Sequence, residues 1–145
     1  MRLLADAETV RDLVLVADDD LMIRKMIIKV LEREGFRVEE ARDGAEAIEH
    51  LRDREYRVVL LDMMMPRIDG LAVLDWLRQH RPEQIARVIV LTAFTRKVAE
   101  SAEAQCAVIY KPFDLQELVE KVRSCASGHE PCATPSQATP PAPLT

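Results

Sequence analysis

Three short, continuous apolar segments constrain the fold of this chain more than any other feature. They lie within residues 12–20, 57–62 and 87–93, and each is followed by a segment whose apolar residues have helical spacing. Strands that are apolar throughout are covered on both faces, as in parallel sheets. Strands that alternate with helices are typical of βαβ units. The pattern therefore predicts an α/β domain built around a parallel sheet.

Two weaker strands predict the order of that sheet. Residues 36–41 alternate apolar and polar side chains, which indicates a half-exposed edge strand, and residues 107–110 form a short strand expected at the other edge. Right-handed crossovers then favour a five-stranded sheet of order 2-1-3-4-5, the doubly wound, flavodoxin-like winding. In such sheets ligands bind beyond the carboxyl ends of the central strands, where the winding reverses.

Composition predicts one domain with extensions. Residues 1–11 form an N-terminal extension, residues 12–126 the domain, and residues 127–145 a disordered tail or linker, because five of the eight prolines lie in the last 15 residues without periodicity. A net charge of −5 argues against direct binding to nucleic acid or anionic membranes. No apolar stretch approaches the roughly 20 residues that span a bilayer, and acidic residues near the N-terminus argue against a signal peptide. We expect a cytoplasmic protein.

Chemically active residues follow the central strands. Asp18 and Asp19 come after the first strand and Asp62 ends the third, while Thr92 and Lys111 follow the fourth and fifth. Clustered carboxylates repel one another unless they bind a proton or a cation. An all-oxygen ligand set favours a hard divalent ion, of which Mg²⁺ is the usual cellular choice. No organic cofactor is predicted.

This combination of side chains suits a phosphoryl group. A metal ion and Lys111 offset its negative charge, Thr92 can donate a hydrogen bond, and the Asp62 carboxylate can be the nucleophile that forms an acyl phosphate. Each residue alone has an ordinary structural explanation as a helix cap, a strand-end residue or a surface charge. The functional interpretation depends on the whole set meeting at one edge of one sheet.

Residues 12 to 126 resemble the CheY-like receiver domain of two-component response regulators. The matching stretches are VLVADDD with Arg24 shortly after, LLDMMMPRIDG, VIVLTA and YKPF. The resemblance implies a phosphoacceptor at Asp62, a switch hydroxyl at Thr92, an essential lysine at Lys111 and a cis Lys111–Pro112 peptide. It also implies Mg²⁺ ligands at Asp18, Asp19 and Asp62, together with the backbone carbonyl of Met64.

The same resemblance implies a function. A histidine kinase or phosphotransfer protein would present phosphohistidine, and Asp62 would take the phosphoryl group. The chain would then change its contacts with a downstream protein target, through the face formed by the predicted helix at 95–105, the fifth strand and the fifth helix. Such a chain is a signalling switch that catalyses only its own phosphorylation and dephosphorylation. The sequence leaves open whether it acts alone or as part of a longer protein.

Three features depart from the family pattern. Val108 stands where an aromatic residue is usual, and Tyr110 lies beside the lysine instead. The stretch from Thr92 to Lys111 is about one helical turn shorter than usual, which predicts a short or irregular helix at 95–105. Met64 and Phe94 flank the site with bulky apolar groups, which should hinder an attacking water and so predict slow self-dephosphorylation.

Alternative functions remain at this point. The chain could be a degenerate receiver that binds proteins without being phosphorylated. A phosphatase of the haloacid dehalogenase type also uses an aspartyl nucleophile, but it carries a second aspartate two residues later, where this chain has Met64. A flavin-binding protein shares the winding, but here the acids after the first strand would repel the phosphate group of the flavin.

Overall fold

In this computed structural model, residues 12–93 and 107–127 are described, and they contain one parallel sheet. Its strands are β1 (Leu13–Ala17), β2 (Arg37–Ala41), β3 (Val58–Asp62), β4 (Val88–Thr92) and β5 (Ala107–Tyr110). The order is β2-β1-β3-β4-β5, and every neighbouring pair is parallel. The predicted fold class, strand order and edge strands are therefore confirmed.

Helices cover both faces of the sheet. They are α1 (Leu21–Arg33), α2 (Gly44–Asp53), α3 (Gly70–His80), a short α4 (Pro82–Ile85) and α5 (Leu115–Ser127). The sequence patterns did not predict α4, which begins at a proline that needs no hydrogen-bond partner for its nitrogen. Among the described residues, no helix combines the length and hydropathy needed to cross a bilayer.

Some predictions fall on other parts of the chain. The predicted helix at 95–105, the N-terminal extension and nearly all of the C-terminal tail lie outside the described residues. The short helix at 95–105 and the proposed domain boundaries therefore stay predictions.

The core has two layers because side chains alternate across the sheet. One face of the central strands, including Leu15, Leu61 and Val90, packs against α2 and α3. The opposite face, including Leu60 and Ile89, packs against α1 and α5. Each such side chain contributes about 1.5–3 kcal/mol when fully buried. This burial fixes the register of the strands and hence the positions of the residues at their ends.

Two arginines anchor α5 at the amino end of the sheet. The Arg87 guanidinium donates a hydrogen bond to the carbonyl of Cys125 at 2.8 Å, and Arg57 donates to the carbonyl of Ala126. Both carbonyls belong to the last turn of the helix, where backbone acceptors lack helical partners and the dipole is negative. The cationic groups therefore stabilise the end of α5 against the start of β3 and β4.

A buried amide joins α4 to the segment before β3. Gln84 is 4% exposed, and its side chain accepts a hydrogen bond from the backbone N–H of Tyr56 at 3.0 Å. The same amide donates to the Tyr56 carbonyl at 2.9 Å. Both backbone groups of Tyr56 are thus satisfied by one side chain.

We expect Gln84→Ala to lower the free energy of unfolding by about 2–6 kcal/mol. The substitution leaves a buried backbone donor and a buried acceptor without partners, at about 1–3 kcal/mol each. Urea denaturation measures the change. Glu83→Ala is the matched control, because Glu83 is exposed and its contact with Arg81 is 3.6 Å long, a kind of pair worth less than about 1 kcal/mol. Equal losses in the two variants would contradict the prediction.

Candidate functional site

The register of the sheet brings the predicted residues to one edge. Ala17 of β1 lies beside Leu61 of β3, so the next residues, Asp18 and Asp62, are neighbours. Asp62 pairs with Leu91 of β4, which precedes Thr92. Thr92 in turn pairs with Tyr110 of β5, which precedes Lys111. The predicted convergence of these strand ends is therefore present in the structure.

The three acids form a compact cluster. Asp18, Asp19 and Asp62 each offer a carboxylate oxygen, and these oxygens all lie within 4.8 Å of one another. Asp18 is 0% exposed and Asp62 is 2% exposed, while Asp19 is exposed to solvent. The cluster is thus buried on one side and open on the other, so an ion could enter it from solution.

Lys111 lies between the two buried acids. Its ammonium nitrogen is 3.1 Å from Asp18 Oδ2 and 3.5 Å from Asp62 Oδ2. Burial alone would lower the pKa of Lys111, but attraction to the carboxylates of Asp62 and Asp18 outweighs it and raises the pKa above its ordinary value. The lysine is therefore cationic at neutral pH, and it offsets only part of the charge of three carboxylates.

The ionisation of Asp62 reflects this excess of negative charge. Burial raises the pKa of Asp62 to about 7. Repulsion from Asp18 acts in the same direction, while the backbone N–H of Met64, 3.1 Å from Asp62 Oδ1, and the charge of Lys111 oppose it. A positive charge brought to this edge would favour the ionised form.

Asp20 has a different role from its two neighbours. Its carboxylate accepts a hydrogen bond from the N–H of Ile23 at 3.1 Å and so caps the start of α1. Its own N–H donates to Asp18 Oδ1 at 2.9 Å. Asp20 therefore supports the cluster through its backbone, and its side chain belongs to the helix.

Two glycines bring the loop after β3 close beneath the site. A Cβ atom on Gly70 would lie 2.7 Å from the carbonyl oxygen of Asp62, and one on Gly44 would lie 2.1 Å from the carbonyl oxygen of Ile68. Neither distance is possible for a real side chain without backbone movement. The sequence marks both glycines only by an aspartate before a helix, so this tight packing was not predicted.

Thr92 and the residues of β5 complete the edge. Thr92 is 1% exposed, and its carbonyl accepts a hydrogen bond from the backbone N–H of Lys111 at 2.8 Å. Val108 is half-buried against the side of the core that faces α2 and α3, whereas Tyr110 is 49% exposed. The Lys111–Pro112 peptide is cis, as the resemblance implied. Phe94 lies outside the described residues.

Comparison with known proteins places this site in a family context. The family model described as response regulator receiver domain matches residues 14–123. The transcriptional regulatory protein SrrA of Staphylococcus aureus is 34% identical over 111 residues, which are 77% of this chain and 46% of SrrA. The chain thus spans about half the length of the curated relatives it matches.

Solved structures agree with this assignment. The response regulator TrrA of Thermotoga maritima, solved in complex with Mg²⁺-BeF, is 31% identical with a TM-score of 0.70, covering 79% of this chain and 98% of that one. The receiver domain of a Francisella response regulator is also 31% identical, with a TM-score of 0.72 and coverage of 79% and 96%. This chain belongs to the response regulator receiver domain family.

Proposed function

We propose that this chain is a signalling switch of a two-component phosphorelay, in which Asp62 accepts a phosphoryl group from the phosphohistidine of a histidine kinase or phosphotransfer protein. The observation that carries the proposal is the position of the buried Asp62 carboxylate. It lies in the cluster with Asp18 and Asp19, whose oxygens are within 4.8 Å, and 3.5 Å from the Lys111 ammonium. This is an arrangement of one nucleophile, a cation-binding acidic pair and a fixed positive charge.

The donor set fits Mg²⁺. All the side-chain donors are carboxylate oxygens, which hard divalent cations prefer, and their open side leaves room for water ligands. Asp18, Asp19, Asp62 and the backbone carbonyl of Met64 would hold the ion. When bound, Mg²⁺ would neutralise charge on the oxygens of the phosphoryl group. The complex of the relative TrrA with Mg²⁺-BeF supports this assignment.

The chemical step needs few groups. An ionised oxygen of Asp62 attacks phosphorus, the P–O bond to the carboxylate forms, and the P–N bond breaks with its electron pair returning to the imidazole of the donor. The Lys111 ammonium attracts the oxygens of the transferred group, and the Thr92 hydroxyl donates a hydrogen bond to one of them. The chain supplies this chemistry to itself, and we propose no turnover of another substrate.

The output follows from where Thr92 and Lys111 are attached. Thr92 is the last residue of β4, Lys111 directly follows β5, and a backbone hydrogen bond of 2.8 Å joins them. A phosphoryl group that draws both side chains towards Asp62 would move the ends of these strands together. We place the resulting change in partner contacts on the face that includes β5, α5 and the predicted helix at 95–105. A coupling of about 1–3 kcal/mol is enough to change affinity for a target.

Two aspects of the function stay predictions of the sequence. One is the cytoplasmic location, and the other is the lack of direct contact with nucleic acid. The relative SrrA is a transcriptional regulatory protein of which this chain spans 46%.

Incubation with acetyl phosphate and Mg²⁺ should add the mass of one phosphoryl group to the intact chain. Asp62→Asn should add none, because an amide cannot form the acyl phosphate. The control is Asp53→Asn at the exposed end of α2, which should gain mass like the wild type. A wild-type chain without a mass gain would support the alternative of a phosphorylation-independent binding module. A mass gain in Asp62→Asn would show that another residue accepts the phosphoryl group.

Stability should depend on pH through Asp62. Its pKa is about 7 in the folded chain, against an ordinary value of 3.8. The protonated carboxyl therefore stabilises the fold fully below about pH 4, and this contribution is lost as pH rises towards 7. An asparagine side chain stays neutral at every pH in this range. As the pH rises from 4.5 to 8, the unfolding free energy of the wild type should therefore fall by about 2–4 kcal/mol relative to that of Asp62→Asn.

Urea denaturation at both pH values, with a chelator present, measures this difference. Adding Mg²⁺ at pH 8 should stabilise the wild type more than the variant, because the ion offsets the repulsion that the asparagine has already removed. A difference between the two chains that stays constant with pH would show that Asp62 ionises in its ordinary range.

Loss of the phosphoryl group should be slow. Met64 is 60% exposed at the open side of the site and offers no group to orient an attacking water. We expect Met64→Asn or Phe94→Glu to speed dephosphorylation, because each supplies a polar group that can hold the water. The remaining phosphorylated fraction is followed by intact mass after the donor is removed. Unchanged or slower loss in both variants would count against this explanation.

A further inference from the structure

Arg24 of α1 is a buried cation beside the acidic cluster. It is 5% exposed, and its guanidinium donates to two acceptors on different elements. One bond runs from Nη1 to the backbone carbonyl of Asp18 at 2.8 Å. The other runs from Nε to Glu40 Oε1 on β2 at 2.7 Å. A buried charge is costly unless it is fully engaged in this way, so the position of Arg24 is well determined.

These contacts complete the restraint of Asp18. Its N–H donates to the carbonyl of Ala41 at 3.2 Å, its Oδ1 accepts from the N–H of Asp20, and its carbonyl accepts from Arg24. The planar guanidinium makes its two bonds in a fixed relative geometry. Arg24 thus ties the peptide that joins Asp18 to Asp19 to the edge strand β2.

We propose that Arg24 is a positioning residue for the divalent-cation site. By holding the Asp18 carbonyl, it sets the direction in which the Asp18 and Asp19 carboxylates leave the backbone. The inference rests on the proposed function only in treating these two acids as ligands of the ion. Arg24 would act without being a ligand of the ion, since its bonds go to the Asp18 carbonyl and to Glu40.

Electrostatics and positioning predict opposite effects of removing this charge. A positive group near the cluster repels a divalent cation, so its loss by itself should tighten Mg²⁺ binding. Loss of the hydrogen bond to Asp18 should weaken binding, because the ligands would no longer be held in a productive geometry. The sign of the change in affinity therefore separates the two roles.

Lys25 provides a closely matched control. It neighbours Arg24 in the chain, carries the same charge and bonds the same Glu40, at 3.1 Å. Its side chain is 59% exposed, and its hydrogen bonds within the described residues go to Glu40 and not to Asp18. Lys25→Met thus removes one positive charge at nearly the same place without releasing the Asp18 carbonyl.

The test is calorimetric titration of the full chain, without phosphodonor, with Mg²⁺. We expect Arg24→Met to bind Mg²⁺ about tenfold more weakly, the size of effect seen when groups that orient metal ligands are removed. Lys25→Met should bind as the wild type does or slightly more tightly. Arg24→Lys should lie between, since one ammonium cannot reproduce both bonds of the guanidinium, and this variant keeps the test possible should Arg24→Met fail to fold.

A second control separates positioning from general stability. Val122→Ala removes volume from a fully buried site on α5 and should lower the unfolding free energy without changing Mg²⁺ affinity. Equal or tighter Mg²⁺ binding by Arg24→Met, or equal weakening by Val122→Ala, would overturn this inference alone. A wild-type chain that binds no Mg²⁺ would overturn the metal site itself and the inference with it.

Discussion

Mutual repulsion among three carboxylates at one edge of the sheet is the constraint on which the site depends. Asp18 and Asp62 are buried beside each other, with Asp19 close to both, and the single ammonium of Lys111 offsets only part of their charge. Burial of the apolar side chains of β1, β3 and β4 holds the acids in place against this repulsion. The result is an edge whose energy falls when a cation binds, which is the physical basis of the metal-dependent phosphoacceptor that we propose.

The same edge shows how one residue type is used for two purposes. Asp20, Asp43 and Asp69 each accept a hydrogen bond from an N–H three residues later and cap a helix. Asp18 and Asp62 instead accept from an N–H two residues later, in Asp20 and Met64. The second carboxylate oxygen of Asp18 and that of Asp62 both face Lys111. Their position at the strand ends beside Lys111 thus distinguishes these two acids from the acids that cap helices.

The link from the site to the surface is short. Lys111 is one residue from the half-exposed Tyr110, and Thr92 is bonded through its backbone to Lys111. An aromatic residue is usual in the family at the position of Val108, whereas here a valine is half-buried against the core. In the switch that we propose, a small side chain at 108 and an exposed aromatic ring at 110 lie between the site and the surface.

Much of this architecture could be predicted from the sequence because the relevant information is local. The apolar strands, the helical spacing and the order of acids, hydroxyl and lysine along the chain predict the strand order and the edge where the site lies. The structure confirms the strand order, and it places the acids and Lys111 side by side with Thr92 at the adjoining strand end. The roles that we propose for these residues are inferred from the chemistry of their side chains and from membership of the receiver domain family.

Other features depend on which distant segments pack together, and only the tertiary structure determines them. The raised pKa of Asp62 depends on burial by the surrounding structure, and the tight fit of Gly44 under Ile68 depends on how α2 meets the loop after β3. The burial of Arg24 between the Asp18 carbonyl and Glu40 depends on how α1 packs beside β2. Sequence spacing gives no measure of solvent exclusion or of distances between segments. The amino-acid order therefore determined which groups meet at the edge, and packing decided how strongly they interact.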